Sequence, residues 1–172
     1  EARAVRVAIK DARSHIGEPE VYSNHISFAT EFHIDGQPWC GAFVGHVLRK
    51  AGVEVPQTIV YTPSIFNFGW VRTTAPRPGD LVLFKWPGIS RDRCDHVGLY
   101  VGRGWTIEGN TSPGNGGSQN NGGGVYLRQR GTANVAAYFT QEEDSAFYRE
   151  AARLLQPGGV LVITHSNELF DL

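Results

Sequence analysis

Cysteine is scarce in this chain: only Cys40 and Cys94 occur among 172 residues. Two are too few for a disulfide scaffold, and they sit in surroundings so different that a staple between them is not expected. No C-x-x-C or H-E-x-x-H spacing is present and the six histidines are scattered, so zinc is not expected. No apolar run approaches the roughly 18 residues that a membrane span needs. The first ten residues alternate charges with small apolar side chains and have none of the continuous apolar stretch of a signal peptide. A net charge of -1, with no cluster of lysine and arginine, removes the long-range attraction that nucleic acid or an anionic lipid surface would exert. Neither partner is expected.

What remains is a globular composition, 41% hydrophobic and 19% charged, in a chain long enough for one compact domain with an extra tail. No apolar surface stripe calls for an obligate partner, so a monomer is expected. Val5, Ala8, Ile9 and Ala12 recur at helical spacing and predict an amphipathic helix that closes near Gly17. From Cys40 the spacing Cys40, Phe43, Val44, Val47, Leu48, Ala51 predicts a second, buried helix, stopped by Gly52. Asp80 to Phe84 reads as a buried strand bounded by glycine and proline.

Two further strands are predicted at His96 to Val101 and Trp105 to Asn110, joined by Gly102-Arg103-Gly104. A three-residue loop there pairs Val101 with Trp105, and so sets Gly98 opposite Glu108 and His96 opposite Asn110 on one face. It also gathers Val97, Leu99, Val101, Trp105 and Ile107 on the other. A two-residue loop would send Glu108 to the wrong side, because a slip of one residue inverts every side chain. Ser112 to Gly124 is rich in glycine, asparagine and serine and reads as a loop, followed by a strand from Gly124 to Arg130 with Val125 and Leu127 facing in.

Cys40 is therefore placed at the start of a helix, where the dipole and the unpaired N–H groups favour an anion and can hold an oxyanion. The alternative is a small buried hydrophobe, the usual fate of a cysteine without a disulfide. His96 opens a strand on its polar side. Glu108 and Asn110 both fall beside it, and either could fix the imidazole tautomer and stabilise its charged form. Glu108 could equally be an ordinary surface carboxylate and Asn110 the start of a turn.

Four motifs carry a resemblance: Pro38-Trp39-Cys40-Gly41-Ala42-Phe43-Val44, then Pro78-Gly79-Asp80-Leu81-Val82-Leu83-Phe84, then Asp95-His96-Val97-Gly98-Leu99-Tyr100-Val101, then Ile107-Glu108-Gly109-Asn110-Thr111. In order, spacing and identity they resemble the CHAP domains of cell-wall hydrolases, within the NlpC/P60-like papain-fold superfamily, over residues 5–139. The segment from Asn24 to Trp39 is similar to actinobacterial and actinophage members. The resemblance implies an α+β, papain-like fold with N-terminal helices packed on an antiparallel sheet. It implies cleavage of an amide in peptidoglycan, by Cys40 as nucleophile, His96 as base, Glu108 as orienting residue and Asn110 in an accessory polar role. Gln37, Trp39 and Trp105 are the expected substrate-binding residues, although both tryptophans could as well be core aromatics. Some such enzymes bind calcium before the cysteine, but Ile34-Asp35-Gly36-Gln37 offers one carboxylate where calcium wants about 6–8 oxygens. No cofactor or metal is expected.

Residues 1–140 are read as the catalytic domain and 141–172 as an appended helix and strand of unknown role. Phe147 to Leu172, particularly Ala151 to Ile163, resembles the late helix-strand segment of class I methyltransferases, but with no glycine-rich cofactor loop near the N-terminus methylation is not supported. Peptidoglycan lies outside the cytoplasmic membrane, so an extracellular or cell-wall location is expected, by export or by release at phage lysis. A papain-like amidase acting on another amide and a non-catalytic wall-binding module are the alternatives.

Overall fold

The computed structural model describes residues 3–90 and 92–141. The tail from 142 to 172, with its methyltransferase-like stretch, lies outside them. Three α-helices come first: α1 (Arg3–Ser14), α2 (Ser27–Glu31) and α3 (Cys40–Lys50). After two short 3-10 turns follow six strands: β1 (Val71–Thr73), β2 (Leu81–Phe84), β3 (His96–Gly102), β4 (Trp105–Thr111), β5 (Gly124–Gln129) and β6 (Val135–Thr140). They make one sheet in the order β1-β6-β2-β3-β4-β5, every pair antiparallel. Among the described residues no helix is long and apolar enough to cross a membrane.

The helix periodicity was readable because burial enforces it. Cys40, Phe43, Val44, Val47 and Leu48 are all at most 2% exposed, and Gly52 ends α3 with φ of 85°, a conformation that suits glycine. Small residues then allow close packing: a Cβ on Gly109 would stand 2.5 Å from Phe43 Cβ, so β4 meets α3 only because that position is glycine. Gly41 is equally constrained, since a Cβ there would lie 2.2 Å from the Ile59 carbonyl oxygen. α1 packs against α3 through Ala8 and Ala12, both buried.

The hairpin departs from its predicted register in an instructive way. Gly102, and not Val101, pairs with Trp105, so the loop is the two residues Arg103-Gly104. A bulge between Tyr100 and Gly102 then absorbs the offset, and the deeper pairs Tyr100↔Thr106 and Leu99↔Ile107 stand where a three-residue loop would have put them. Glu108 consequently returns to the side of Gly98, where a Cβ would come within 2.7 Å of its Cγ. Two inward assignments fail: Trp105 is 38% and Leu127 41% exposed, because the first lies at the hairpin turn and the second on the edge strand of the sheet. Strand β6, inserted between β1 and β2, has no counterpart in the sequence reading. Its buried residues, Ala137 and Phe139, give too weak an alternation, and alanine is a poor strand former.

Candidate active site

Cys40 is the first residue of α3, and the residue before it, Trp39, supplies no side-chain cap. Tryptophan is a poor choice for that position. The first backbone bond of the helix runs from Phe43 N–H to the Trp39 carbonyl, so the N–H groups of the first turn are not used within it. An uncapped, buried helix start carrying a thiol is a local rule broken where chemistry would want it broken.

His96 opens β3 and is fully buried. Its Nε2 donates to Glu108 Oε2 at 2.9 Å. The other nitrogen, Nδ1, is buried without a hydrogen bond of ordinary geometry, and the ring's second electrostatic partner is Cys40. Hydrogen bonds between catalytic groups often align fully only around substrate. Burial acts to depress the imidazole, but Cys40 and Glu108 together outweigh it and raise the pKa to about 9. The ring therefore holds its proton at neutral pH.

Glu108, also fully buried, accepts hydrogen bonds from three side chains, Thr106, Arg130 and His96. Thr106 donates its hydroxyl to Oε1 at 2.6 Å, and Arg130 forks onto it, Nε to Oε1 at 2.8 Å and Nη2 to Oε2 at 2.6 Å. Burial pushes the carboxyl up, yet Arg130 first and His96 next hold it down at about 2. Arg130 is itself fixed by Gln119 and Thr111 and lies against the rings of Phe84 and Trp86. Beside the thiol, imidazole, carboxylate and guanidinium thus form a row in which each charge meets an opposite one, the condition for burying charge without a large penalty.

The sequence reading missed Arg130. The signal was present in part: a buried glutamate beside a histidine needs further donors, and Arg130 shares the sheet face of Thr106 and Glu108, although the register sets it beside Gly104 and only its long side chain reaches back to Glu108. It also missed Thr106.

Asn110 goes elsewhere. A register shift between Glu108 and Thr111 and a φ of 56° turn it away from the run of β4, and the β3–β4 pairing ends at Leu99↔Ile107, short of the expected His96–Asn110 partnership. Its Oδ1 accepts the Trp39 N–H at 3.1 Å while Nδ2 donates to Asn24 Oδ1 and to the Gly122 carbonyl. It clamps the backbone just ahead of Cys40. The Trp39 ring is completely buried, stacked on Phe28 and donating through Nε1 to Glu20, so it is a core aromatic and presents no face to a cleft. Gln37 is exposed on the approach to α3. Trp105 stands at the far end of the hairpin from His96, six residues along β3, a separation of about 20 Å.

Asp95 precedes His96 and is buried, its Oδ2 accepting the Trp86 N–H at 3.0 Å. Burial raises its pKa against the pull of Trp86 and Lys85. It ties the end of β2 to the start of β3. Cys94 is buried and makes no disulfide with Cys40.

The sequence model of the NlpC/P60 family matches residues 30–136, which hold every group of this site. The chain belongs to the NlpC/P60 family. Solved structures agree at the level of fold. The P60 domain of an antigen from Mycobacterium avium subspecies paratuberculosis superposes with a TM-score of 0.50 at 19% identity, over 80% of this chain and 93% of that one. RipB of Mycobacterium tuberculosis, described as a peptidoglycan hydrolase, gives 0.50 at 20% identity over 80% of this chain and 63% of its own. RipD of the same species, described as a non-catalytic NlpC/P60 domain protein adapted to peptidoglycan binding, gives 0.50 at 17% identity over 83% and 99%. No curated protein matches the chain. An NlpC/P60 fold is thus found with and without catalysis, and the side chains must decide between them.

Proposed function

We propose that this NlpC/P60 protein is a peptidoglycan hydrolase that cleaves an amide through Cys40, acting as an N-acetylmuramoyl-L-alanine amidase or as a stem or cross-bridge endopeptidase, with residues 1–140 as its catalytic domain and its site of action outside the cytoplasmic membrane. One observation carries the reading: a fully buried His96, bonded to Glu108 through Nε2, has as its other electrostatic partner the thiol of Cys40 at an uncapped helix start. A domain that only binds has no use for this arrangement, nor for the arginine fork beneath it. The four motifs that resemble CHAP enzymes support the same chemistry.

In this mechanism the sulfur of Cys40 attacks the amide carbonyl, and the first-turn N–H groups of α3 receive the developing oxyanion. His96 has taken the thiol proton and returns it from Nδ1 to the departing amine. Water, deprotonated by the same ring, then clears the thioester. Glu108 keeps Nε2 protonated throughout and stabilises the imidazolium, while Arg130 and Thr106 keep Glu108 ionised. The choice of bond is read directly by mass spectrometry of fragments released from purified peptidoglycan. Wild type should release a single class of new N-terminus, either L-alanine or a residue of the stem or bridge, and Cys40→Ala should release nothing. A folded wild-type protein that opens no bond in peptidoglycan, but binds it, would replace the hydrolase with a binding module.

A further inference from the structure

A second group of histidines lies on the helices, outside the catalytic row. Asp11 on α1, His15 just beyond its end and His46 on α3 place one ligand atom each within 4.8 Å of the others. Both imidazoles turn Nε2 toward the same oxygen, Asp11 Oδ2, at 3.6 Å from His15 and 3.5 Å from His46. Those separations are too long for hydrogen bonds, and Oδ2 is a buried atom with no hydrogen-bond partner at all. They match the edge of a tetrahedron around zinc: bonds of about 2.0–2.2 Å set neighbouring ligand atoms about 3.3–3.6 Å apart.

The outer surroundings point the same way. His15 Nδ1 is bonded to Glu18 Oε2 at 2.6 Å and His46 Nδ1 to Glu31 Oε2 at 2.5 Å. A carboxylate on the far nitrogen is what orients a metal-binding histidine and makes its free nitrogen more basic. Phe28 holds both rings edge-on, each with centroids 5.0 Å away. One carboxylate, Asp11, faces the point where a cation would sit, and two more, Glu18 and Glu31, stand behind the imidazoles. The Asp11, His15 and His46 side chains are 19%, 23% and 17% exposed, enough for an ion to enter and for water to complete the coordination.

We propose that Asp11, His15 and His46 form a zinc(II) site, with water as fourth ligand, that ties α1 to the helix beginning at Cys40. Two imidazoles and a carboxylate suit a borderline transition metal and not calcium or magnesium, which want oxygen alone. The site is structural: it joins two helices and lies six residues beyond the thiol along α3.

The test uses the Cys40→Ser chain, because a thiol beside His96 would itself attract zinc. After removal of metal and titration with zinc chloride, this protein should bind one equivalent and melt several degrees higher. With cobalt(II) in place of zinc it should show the intense visible bands of a tetrahedral centre. His46→Ala or His15→Ala in the same background should weaken binding at least about a hundred-fold, and Glu31→Gln by about 10–100-fold. Asp11→Asn, which keeps the shape of the side chain, should abolish the thermal shift while leaving the metal-free protein folded by circular dichroism. Failure of Cys40→Ser to take up zinc would overturn the site, as would undiminished uptake by Cys40→Ser carrying both histidine substitutions.

Discussion

The molecule holds the same unit, an imidazole pinned by a carboxylate, in two settings with different chemistry. At His96 the carboxylate is fully buried and shared with an arginine, and the ring's other electrostatic partner is a thiol. At His15 and His46 the carboxylates are about a third exposed, and the free nitrogens converge on another carboxylate oxygen. What a histidine does is therefore set by the second nitrogen. In the proposed hydrolase the ring beside the buried thiol moves a proton, and in the proposed zinc site the rings facing a carboxylate oxygen hold a cation.

The sharpest division between the two settings is Cys40→Ala. Hydrolysis should fall by at least about a thousand-fold, the usual consequence of losing a nucleophile, while zinc uptake at the helix pair persists. Loss of both together would show that the two sites are one system. Next in size is Arg130→Met. It leaves Glu108 buried with half its donors gone, so a loss of about 3 kcal/mol in urea unfolding is expected, together with a fall in kcat. Arg130→Lys should recover part of each, since an ammonium restores charge but cannot supply the two parallel bonds of the fork. Equal stability of all three proteins would remove Arg130 from the account.

Why was one setting legible in the sequence and the other not? Cys40 and His96 stand in local patterns, a helix start and a strand start, whose periodicity the burial of α3 and β3 enforces. Glu108 was reachable by strand parity alone, and the parity held only because a bulge at Val101 cancelled a loop one residue shorter than expected. Asn110 defeated the same reasoning, since a left-handed backbone inside a strand breaks the alternation. Arg130 lies past the end of β5, where pattern is silent and only the unmet needs of a buried carboxylate would have suggested it. The helical trio was invisible because Asp11 and His15 share a turn while His46 comes from another helix. Only the packing of Ala8 and Ala12 on α3 brings them together, and no spacing along the chain records that.

Acidity separates the two halves of the catalytic row. His96 is raised from 6.5 to about 9, so its contribution to stability is complete below 6.5 and lost as pH rises toward 9. Glu108 is lowered from 4.5 to about 2, so its contribution is complete above 4.5 and lost as pH falls toward 2. Both act fully between 4.5 and 6.5. A melting profile should therefore slope down on both sides of that window, and Glu108→Gln should flatten the acid side and draw the alkaline loss to lower pH. A profile unchanged by Glu108→Gln would mean that the pair is not ionised in the folded protein.

The smallest expected effect tests how Glu108 is held apart from its charges. Thr106 is 1% exposed and donates to Oε1 at 2.6 Å, and Thr106→Val keeps its shape while deleting that donor. Because Arg130 Nε remains on the same oxygen, Glu108 is not orphaned, and the cost should be about 1–2 kcal/mol, near the low end for a hydrogen bond to a charged group. The acid limb of the melting profile should move upward in pH, since one donor to the ionised form is gone. The alkaline limb should hardly move, because the bond from His96 goes to the other oxygen. If both limbs shift together, the hydroxyl positions the whole carboxylate, and the His96–Glu108 bond depends on Thr106 for its geometry as well as on Arg130 for its charge.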